Sequence, residues 1–265
     1  MMNNNFKRFY EELAVNLEKS NWEQVLNEDG TVLSDDLKTI VDAKTVDVLN
    51  CINNPFYFMD KLKIDNRELS INMPNYLAIK YNHQKSRNIL LDTPPQTGKT
   101  VQICGYILYK LMYDAVMLNN QQLIVAIETN RIADHKARVA LIKELYDSLP
   151  DHLKIIEWRH IRSRIHYYKT VLNTVNITDD QIGLLVYDGC TEYKDIKQNI
   201  PTIICARGVE SIAAREALNK HAKPNFVEVK YNYKQLGYSD EWAKDMLAKY
   251  NGDLTTFLRE VCQVY

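Results

Sequence analysis

The sequence predicts an α/β protein with a parallel β-sheet flanked by helices, because short apolar runs alternate with longer segments of helical periodicity. Continuous apolar runs, rather than alternating ones, are typical of strands that are buried on both faces of a parallel sheet. Segment 226–231 alternates between apolar and polar residues, which predicts a strand at the edge of the sheet. The predicted buried strands are 88–92, 123–127, 182–187 and 202–206.

Helical periodicity in the segments between and beyond these strands completes the prediction. The predicted helices are 6–17, 37–52, 56–62, 73–82, 99–117, 132–149, 211–221, 240–250 and 254–261. The first four lie before the first strand. We therefore predict a helical N-terminal region, or lid, over 1–85 and an α/β core over 86–265.

Composition and charge exclude several classes of protein. The chain is 46% hydrophobic and 25% charged, as is usual for a globular protein. Its formal net charge of -1 gives no overall field that would attract a polyanion, so any contact with nucleic acid would need a local basic patch. The 5 cysteines are odd in number and form no CxxC pair, which argues against a disulfide framework and favours a reducing compartment. The sequence contains no apolar run of about 18 residues, so we expect no membrane span.

Residues 93–100 read TPPQTGKT and lie between a predicted strand and a predicted helix. They match the phosphate-binding loop (P-loop) pattern GxxxxGK[ST], except that Thr93 replaces the first glycine. Gly98 would let the backbone approach a phosphate, Lys99 would contact the β and γ phosphates, and the Thr100 hydroxyl would bind Mg²⁺. The sequence therefore predicts a P-loop NTPase core that binds ATP and Mg²⁺. The predicted nucleotide-binding residues are Pro95, Gln96, Thr97, Gly98, Lys99 and Thr100.

A second site residue is expected where the strand 182–187 ends. Asp188 follows this strand and would hold the Mg²⁺ ion through water; alternatively, it is an ordinary turn aspartate before Gly189. ATP hydrolysis also needs a group that orients the attacking water. No carboxylate directly follows Asp188, so the nearest candidate for this role is Glu192. Lys99 is the other residue that we predict to serve catalysis.

A basic and aromatic stretch covers 154–169. Its cations could contact nucleic-acid phosphates while its aromatic rings stack on bases. The alternative, which is the commoner arrangement, is a solvated helix whose aromatic side packs on the core. The candidate DNA contacts are Arg159, Arg162, Arg164 and Lys169.

Several short segments occur in an order that is typical of one family. They are PFYF at 55–58, PQTGKT at 95–100, LPDHL at 149–153, ICARG at 204–208 and FLREV at 257–261. With these segments, the chain resembles the ATPase domain of the large terminase subunit of tailed phages. The resemblance implies a phage-encoded ATPase that packages viral genomes in the host cytoplasm. It also implies double-stranded DNA, the portal or other packaging proteins, and further copies in a homo-oligomeric ring as partners.

The departures from the family pattern concern the groups that drive hydrolysis. Pro95 stands where the family has a loop arginine, which Arg131, Arg138 or Arg207 could replace. Gly189 stands where the family has a catalytic glutamate. The family's coupling threonine or serine is replaced around Ala206 and Arg207. The resemblance covers the ATPase domain of the family and does not extend to its nuclease domain. Three interpretations therefore stay open: a packaging ATPase, a hydrolysis-deficient binding or regulatory protein that acts as a decoy, and the ATPase half of a split terminase.

Overall fold

The computed structural model describes residues 43–85, 88–114, 123–168, 177–193, 196, 200–221 and 226–263. The predicted helix 6–17, the start of the predicted helix 37–52 and the candidate DNA contact Lys169 lie outside the described residues. The proposed boundary at residue 85 stays a prediction.

Six parallel strands form the main sheet, which confirms the predicted α/β class. A separate antiparallel pair joins β1 (Lys63–Ile64) to β2 (Arg67–Glu68). The strands of the main sheet are β3 (Asn88–Asp92), β4 (Ile124–Glu128), β5 (Ile165–Tyr167), β6 (Ile182–Asp188), β7 (Thr202–Ala206) and β8 (Phe226–Lys230). Their order across the sheet is β5-β4-β6-β7-β3-β8. All residues of β3, β4 and β7 are buried, as the continuous apolar runs require.

Within the described residues, most of the predicted helices are present. They are α1 (Ala43–Asn53), α2 (Pro55–Met59), α3 (Met73–Lys85), α4 (Lys99–Tyr109), α5 (Ile132–Ser148), α6 (Trp158–Arg162), α7 (Val209–His221), α8 (Asp240–Lys249) and α9 (Leu254–Glu260). Of the segment predicted as one helix over 99–117, the described part is α-helical to Tyr109 and continues as a π-helical turn over Lys110–Asp114, whereas 115–117 lie outside the described residues. The predicted edge strand is present as β8, which pairs with β3 alone.

The described residues group into two compact units. One falls within Met1–Leu69, Gly105–Gln122 and Leu141–Arg164, and the other within Ser70–Cys104, Leu123–Ala140 and Ile165–Tyr265. The first unit has an aromatic core in which the ring of Phe58 lies 5.2 Å from that of Tyr113, centroid to centroid. The second unit contains the whole main sheet, with α3 and α7 packed against β3 and β7. All the candidate site residues described below belong to this second unit, apart from those of the basic stretch.

None of the helices that the structure describes is long and apolar enough to cross a membrane.

Candidate functional site

Sheet topology places a cleft at the carboxyl ends of β3 and β7. After β3 the chain crosses the sheet in one direction, to β4. After β7 it crosses in the opposite direction, to β8. Because β3 and β7 are neighbours, their following loops diverge, which is the arrangement at which parallel α/β sheets bind ligands. A cavity of about 430 Å³ lies there, a volume typical of ligand pockets.

The cavity brings together nearly all the residues predicted from the phosphate-loop motif. Its lining comprises Pro95, Gln96, Thr97, Gly98, Lys99, Thr100, Val101, Arg138, Asp188, Gly189, Cys205, Ala206, Arg207 and Glu210. Asp188, which is 88 positions from Thr100 in the sequence, is among them, because β6 ends at the same edge as β3. The residues predicted to bind nucleotide and metal thus share one cavity.

The loop over residues 93–98 has a compact backbone that turns back on itself. Gly98 has a φ of 76° and Gln96 a φ of 60°, both in the left-handed region. The Thr97 hydroxyl donates to the Pro94 carbonyl at 2.8 Å. The Lys99 ammonium donates to the carbonyls of Thr93 and Pro94, the second at 3.0 Å. Burial lowers the pKa of Lys99 to about 8.

Polar side chains that the sequence analysis overlooked hold this loop in place. Asn72 Nδ2 donates to the Thr97 carbonyl at 2.6 Å. Gln102, one turn into α4, accepts from Asn75 Nδ2 at 2.5 Å and donates to the Ser70 carbonyl at 2.7 Å. The segment before α3 therefore fixes the loop through side-chain amides. Such contacts leave no mark in a local sequence pattern.

Asp188 forms the polar centre of the cavity. Its Oδ2 accepts a hydrogen bond from the Thr100 hydroxyl at 3.1 Å. The same oxygen accepts from Arg138 Nε at 2.6 Å, which makes a part-buried ion pair between α5 and β6. Thr100 and Asp188 were predicted to meet here, whereas the pairing of Arg138 with Asp188 was not.

The cavity also contains charged groups contributed by the loop and helix that follow β7. Arg207 is exposed, and its Nε lies 3.7 Å from Glu260 Oε2. Glu210, in the first turn of α7, is half-buried, and burial raises the pKa of its carboxyl. Glu192, the carboxylate predicted to serve catalysis, is exposed and is not among the described residues that line the cavity.

The basic stretch contains cations in two different situations. Arg159 and Arg162 are exposed on α6, and Arg159 pairs with Glu157 at 2.7 Å. Arg164 donates instead to two backbone carbonyls, those of His160 at 3.0 Å and Leu111 at 2.6 Å, and burial lowers its pKa. This geometry agrees with the packed alternative for Arg164, and it leaves Arg159 and Arg162 as candidate DNA contacts.

The donors in the cavity suit a magnesium ion that arrives with a nucleotide. Mg²⁺ prefers oxygen ligands and is usually held by one or two carboxylates together with substrate phosphates. The Thr100 hydroxyl and the Asp188 carboxylate supply such oxygens from adjacent positions. Within the described part of the chain, no group of three or more histidine, cysteine, aspartate or glutamate side chains could hold a metal ion without such help.

Comparison with known proteins adds no family to this description. The chain matches no protein-family model and no curated protein. Any function proposed for the chain therefore rests on the geometry of the cavity and on the order of the sequence motifs.

Proposed function

We propose that this chain is a P-loop NTPase domain that binds Mg²⁺ and ATP in the cavity at the carboxyl ends of β3, β6 and β7. One observation carries the proposal. Lys99 and Thr100 open helix α4 directly after the left-handed Gly98, and the Thr100 hydroxyl lies 3.1 Å from the aspartate that ends β6. A chance GKT tripeptide in a turn has no reason to meet a carboxylate 88 positions away.

Phosphate groups would bind at the start of α4. The free amides of a helix N-terminus and the positive end of its dipole favour phosphate oxygens. Lys99 now donates to the carbonyls of Thr93 and Pro94, so its ammonium already lies beside the loop that would surround the phosphates. A shift of this flexible side chain from carbonyl oxygens to phosphate oxygens would exchange neutral acceptors for charged ones, which form stronger hydrogen bonds.

Thr100 and Asp188 would hold the metal ion. When bound, Mg²⁺ neutralises charge on the phosphate oxygens and thereby helps transfer of the terminal phosphoryl group. The Thr100 hydroxyl would act as a direct ligand, and the Asp188 carboxylate would orient a metal-bound water. Both side chains lie close enough to share one small cation, because they are hydrogen bonded to each other.

We further propose that the domain is a terminase-like ATPase of a DNA-packaging motor. The order of the motifs from residue 55 to residue 261 supports this assignment. So does the position of ICARG, since β7 ends within it and Ala206 and Arg207 line the cavity. Double-stranded DNA, portal or other packaging proteins and further copies in a ring would be its partners.

A second candidate function is a nucleotide-binding protein that does not hydrolyse ATP. Pro95 has no side-chain hydrogen-bond donor in the place of the family's arginine. Gly189, with a φ of 69°, has no carboxylate in the place of the family's glutamate. Such a protein would act by binding, as a decoy or regulator of packaging.

Binding of a fluorescent ATP analogue with Mg²⁺ tests the shared part of both candidates. We expect Lys99→Ala to weaken binding at least about tenfold, since charge-assisted hydrogen bonds are each worth about 1.5–3 kcal/mol. Lys143→Ala is the control, because Lys143 pairs with Asp147 and does not line the cavity. Equal binding by the wild type and Lys99→Ala would rule out the proposed site.

A further inference from the structure

Arg138 holds the carboxylate that the proposed function assigns to the metal ion. Its Nε donates to Asp188 Oδ2 at 2.6 Å, and the two side chains are 26% and 12% exposed. Charge-assisted hydrogen bonds of this length are among the strongest polar contacts in proteins. Asp188 is therefore neutralised by a cation of the protein itself.

This contact places a positive charge of the protein beside any divalent cation that Thr100 and Asp188 would hold. Asp188 Oδ2 already accepts from Arg138 and from the Thr100 hydroxyl. A cation placed between Thr100 and Asp188 would face the guanidinium at short range and would be repelled by it. A metal ion held by Thr100 and by a water on Asp188 would therefore favour movement of the guanidinium away from Oδ2.

The guanidinium has a suitable alternative partner in the same cavity. Arg138 lines that cavity together with Gly98, Lys99 and Thr100, where the phosphates of a nucleotide would lie. An arginine stays charged at any physiological pH, and its planar donors match the oxygens of a phosphate. Pro95, in the loop itself, offers no side-chain donor for that task.

We propose that Arg138 is the internal counter-ion of this site. Its guanidinium pairs with Asp188, and with Mg²⁺ and ATP bound it would contact the terminal phosphate instead. The movement of one side chain thus links binding of the metal to recognition of the third phosphate. This inference rests on the proposed function, and it adds a residue that discriminates ATP from ADP.

A magnesium titration with the fluorescent ATP analogue tests the first half of the inference. We expect Arg138→Gln to lower the Mg²⁺ concentration at half-saturation by about five- to tenfold, at the lower end of the range for coupled binding events. Arg131→Gln is the matched control, because Arg131 begins the same helical region, pairs with Asp134 and does not line the cavity. It should behave like the wild type.

Competition by unlabelled ATP and ADP tests the second half. In Arg138→Gln, the preference for ATP over ADP should fall by about tenfold, because a charged contact to the terminal phosphate is lost. Arg138→Lys keeps a positive charge but lacks the planar fork, so its preference should lie between the two. This variant also provides the measurement if Arg138→Gln does not fold.

The outcomes separate the inference from the function on which it rests. A wild type that binds no nucleotide overturns both. A wild type that binds nucleotide with Mg²⁺, beside Arg138 variants with unchanged magnesium midpoints and unchanged ATP preference, overturns the role of Arg138 and leaves the proposed function intact.

Discussion

At the scale of single residues, Glu210 is the carboxylate, besides Asp188, that the cavity lining offers to activate water in the proposed ATPase. Hydrolysis requires a group that takes or orients the proton of the attacking water while its oxygen bonds to the γ phosphorus and ADP leaves. Glu210 lines the cavity with Lys99 and Asp188, whereas Glu192 is exposed outside it. Burial raises the pKa of Glu210, which brings a carboxylate closer to the pKa of an effective base at neutral pH.

We therefore expect Glu210→Gln to reduce steady-state ATP turnover by about 10²-fold or more, which is the usual contribution of a general base. Affinity for the ATP analogue should change little, since glutamine keeps the size of the side chain. Glu192→Gln serves as the control and should turn over ATP like the wild type. Loss of turnover in Glu192→Gln but not in Glu210→Gln would restore the assignment predicted from the sequence.

At the scale of elements, the sequence predicts well what depends on local pattern. β3 and β7 have the bounds predicted from NILLD and TIICA, because the residues between the ends of each segment are apolar and buried on both faces of the sheet. β5 was not predicted, since it is an edge strand of three residues, Ile165–Tyr167, within the basic stretch. The π-helical turn at Lys110–Asp114 was not predicted either, because its sequence resembles that of the helix that it continues.

The site divides in the same way. Gly98, Lys99 and Thr100 form a local pattern with known chemistry, and they lie in the cavity as the motif requires. Glu210 could not be found from the sequence, and Arg138 could not be distinguished there from Arg131 and Arg207, because Arg138 and Glu210 each reach the cavity from a different helix by tertiary packing. A single basic or acidic residue on a helix has no spacing that distinguishes it from a surface charge.

The turn into α4 provides a test at this scale. An alanine at position 98 would have to adopt the φ of 76° that Gly98 has. Its Cβ would lie 3.0 Å from Gln102 Nε2, within the amide network that holds the loop. We expect Gly98→Ala to cost about 1–2 kcal/mol of unfolding free energy from the left-handed backbone, and to weaken binding of the ATP analogue. Thermal unfolding and the binding titration measure the two effects.

Gly237→Ala separates backbone strain from damage to the site. Gly237 has a φ of 80°, no atom within 4 Å of an added Cβ, and no part in the lining of the cavity. Both variants should therefore lose similar stability, while only Gly98→Ala loses affinity for nucleotide. Undiminished binding by Gly98→Ala would show that the loop does not hold phosphates closely.

At the scale of the whole molecule, charge limits how DNA could be bound. The formal net charge of -1 provides no general attraction for a polyanion, so contact with DNA must depend on a few local cations. Arg159 and Arg162 are exposed and stay the candidates for phosphate contacts, while Arg164 donates to backbone carbonyls. A weak and salt-sensitive interaction suits a motor that must move along DNA without regard to its sequence.

Duplex DNA should bind the wild-type protein and stimulate its ATP turnover, and stimulation should disappear in Lys99→Ala.

Each phosphate contact adds about -0.9 to the slope of log affinity against log salt concentration, so an Arg159→Gln/Arg162→Gln double variant should have a slope smaller in magnitude by about 2. Fluorescence anisotropy of a labelled duplex at several salt concentrations measures it. Arg215→Gln, which removes a cation paired with Glu228, is the control. Equal slopes for the wild type and the double variant would assign the basic stretch to the solvated surface. In the turnover experiment, tight ATP binding without turnover would favour the hydrolysis-deficient protein over the motor.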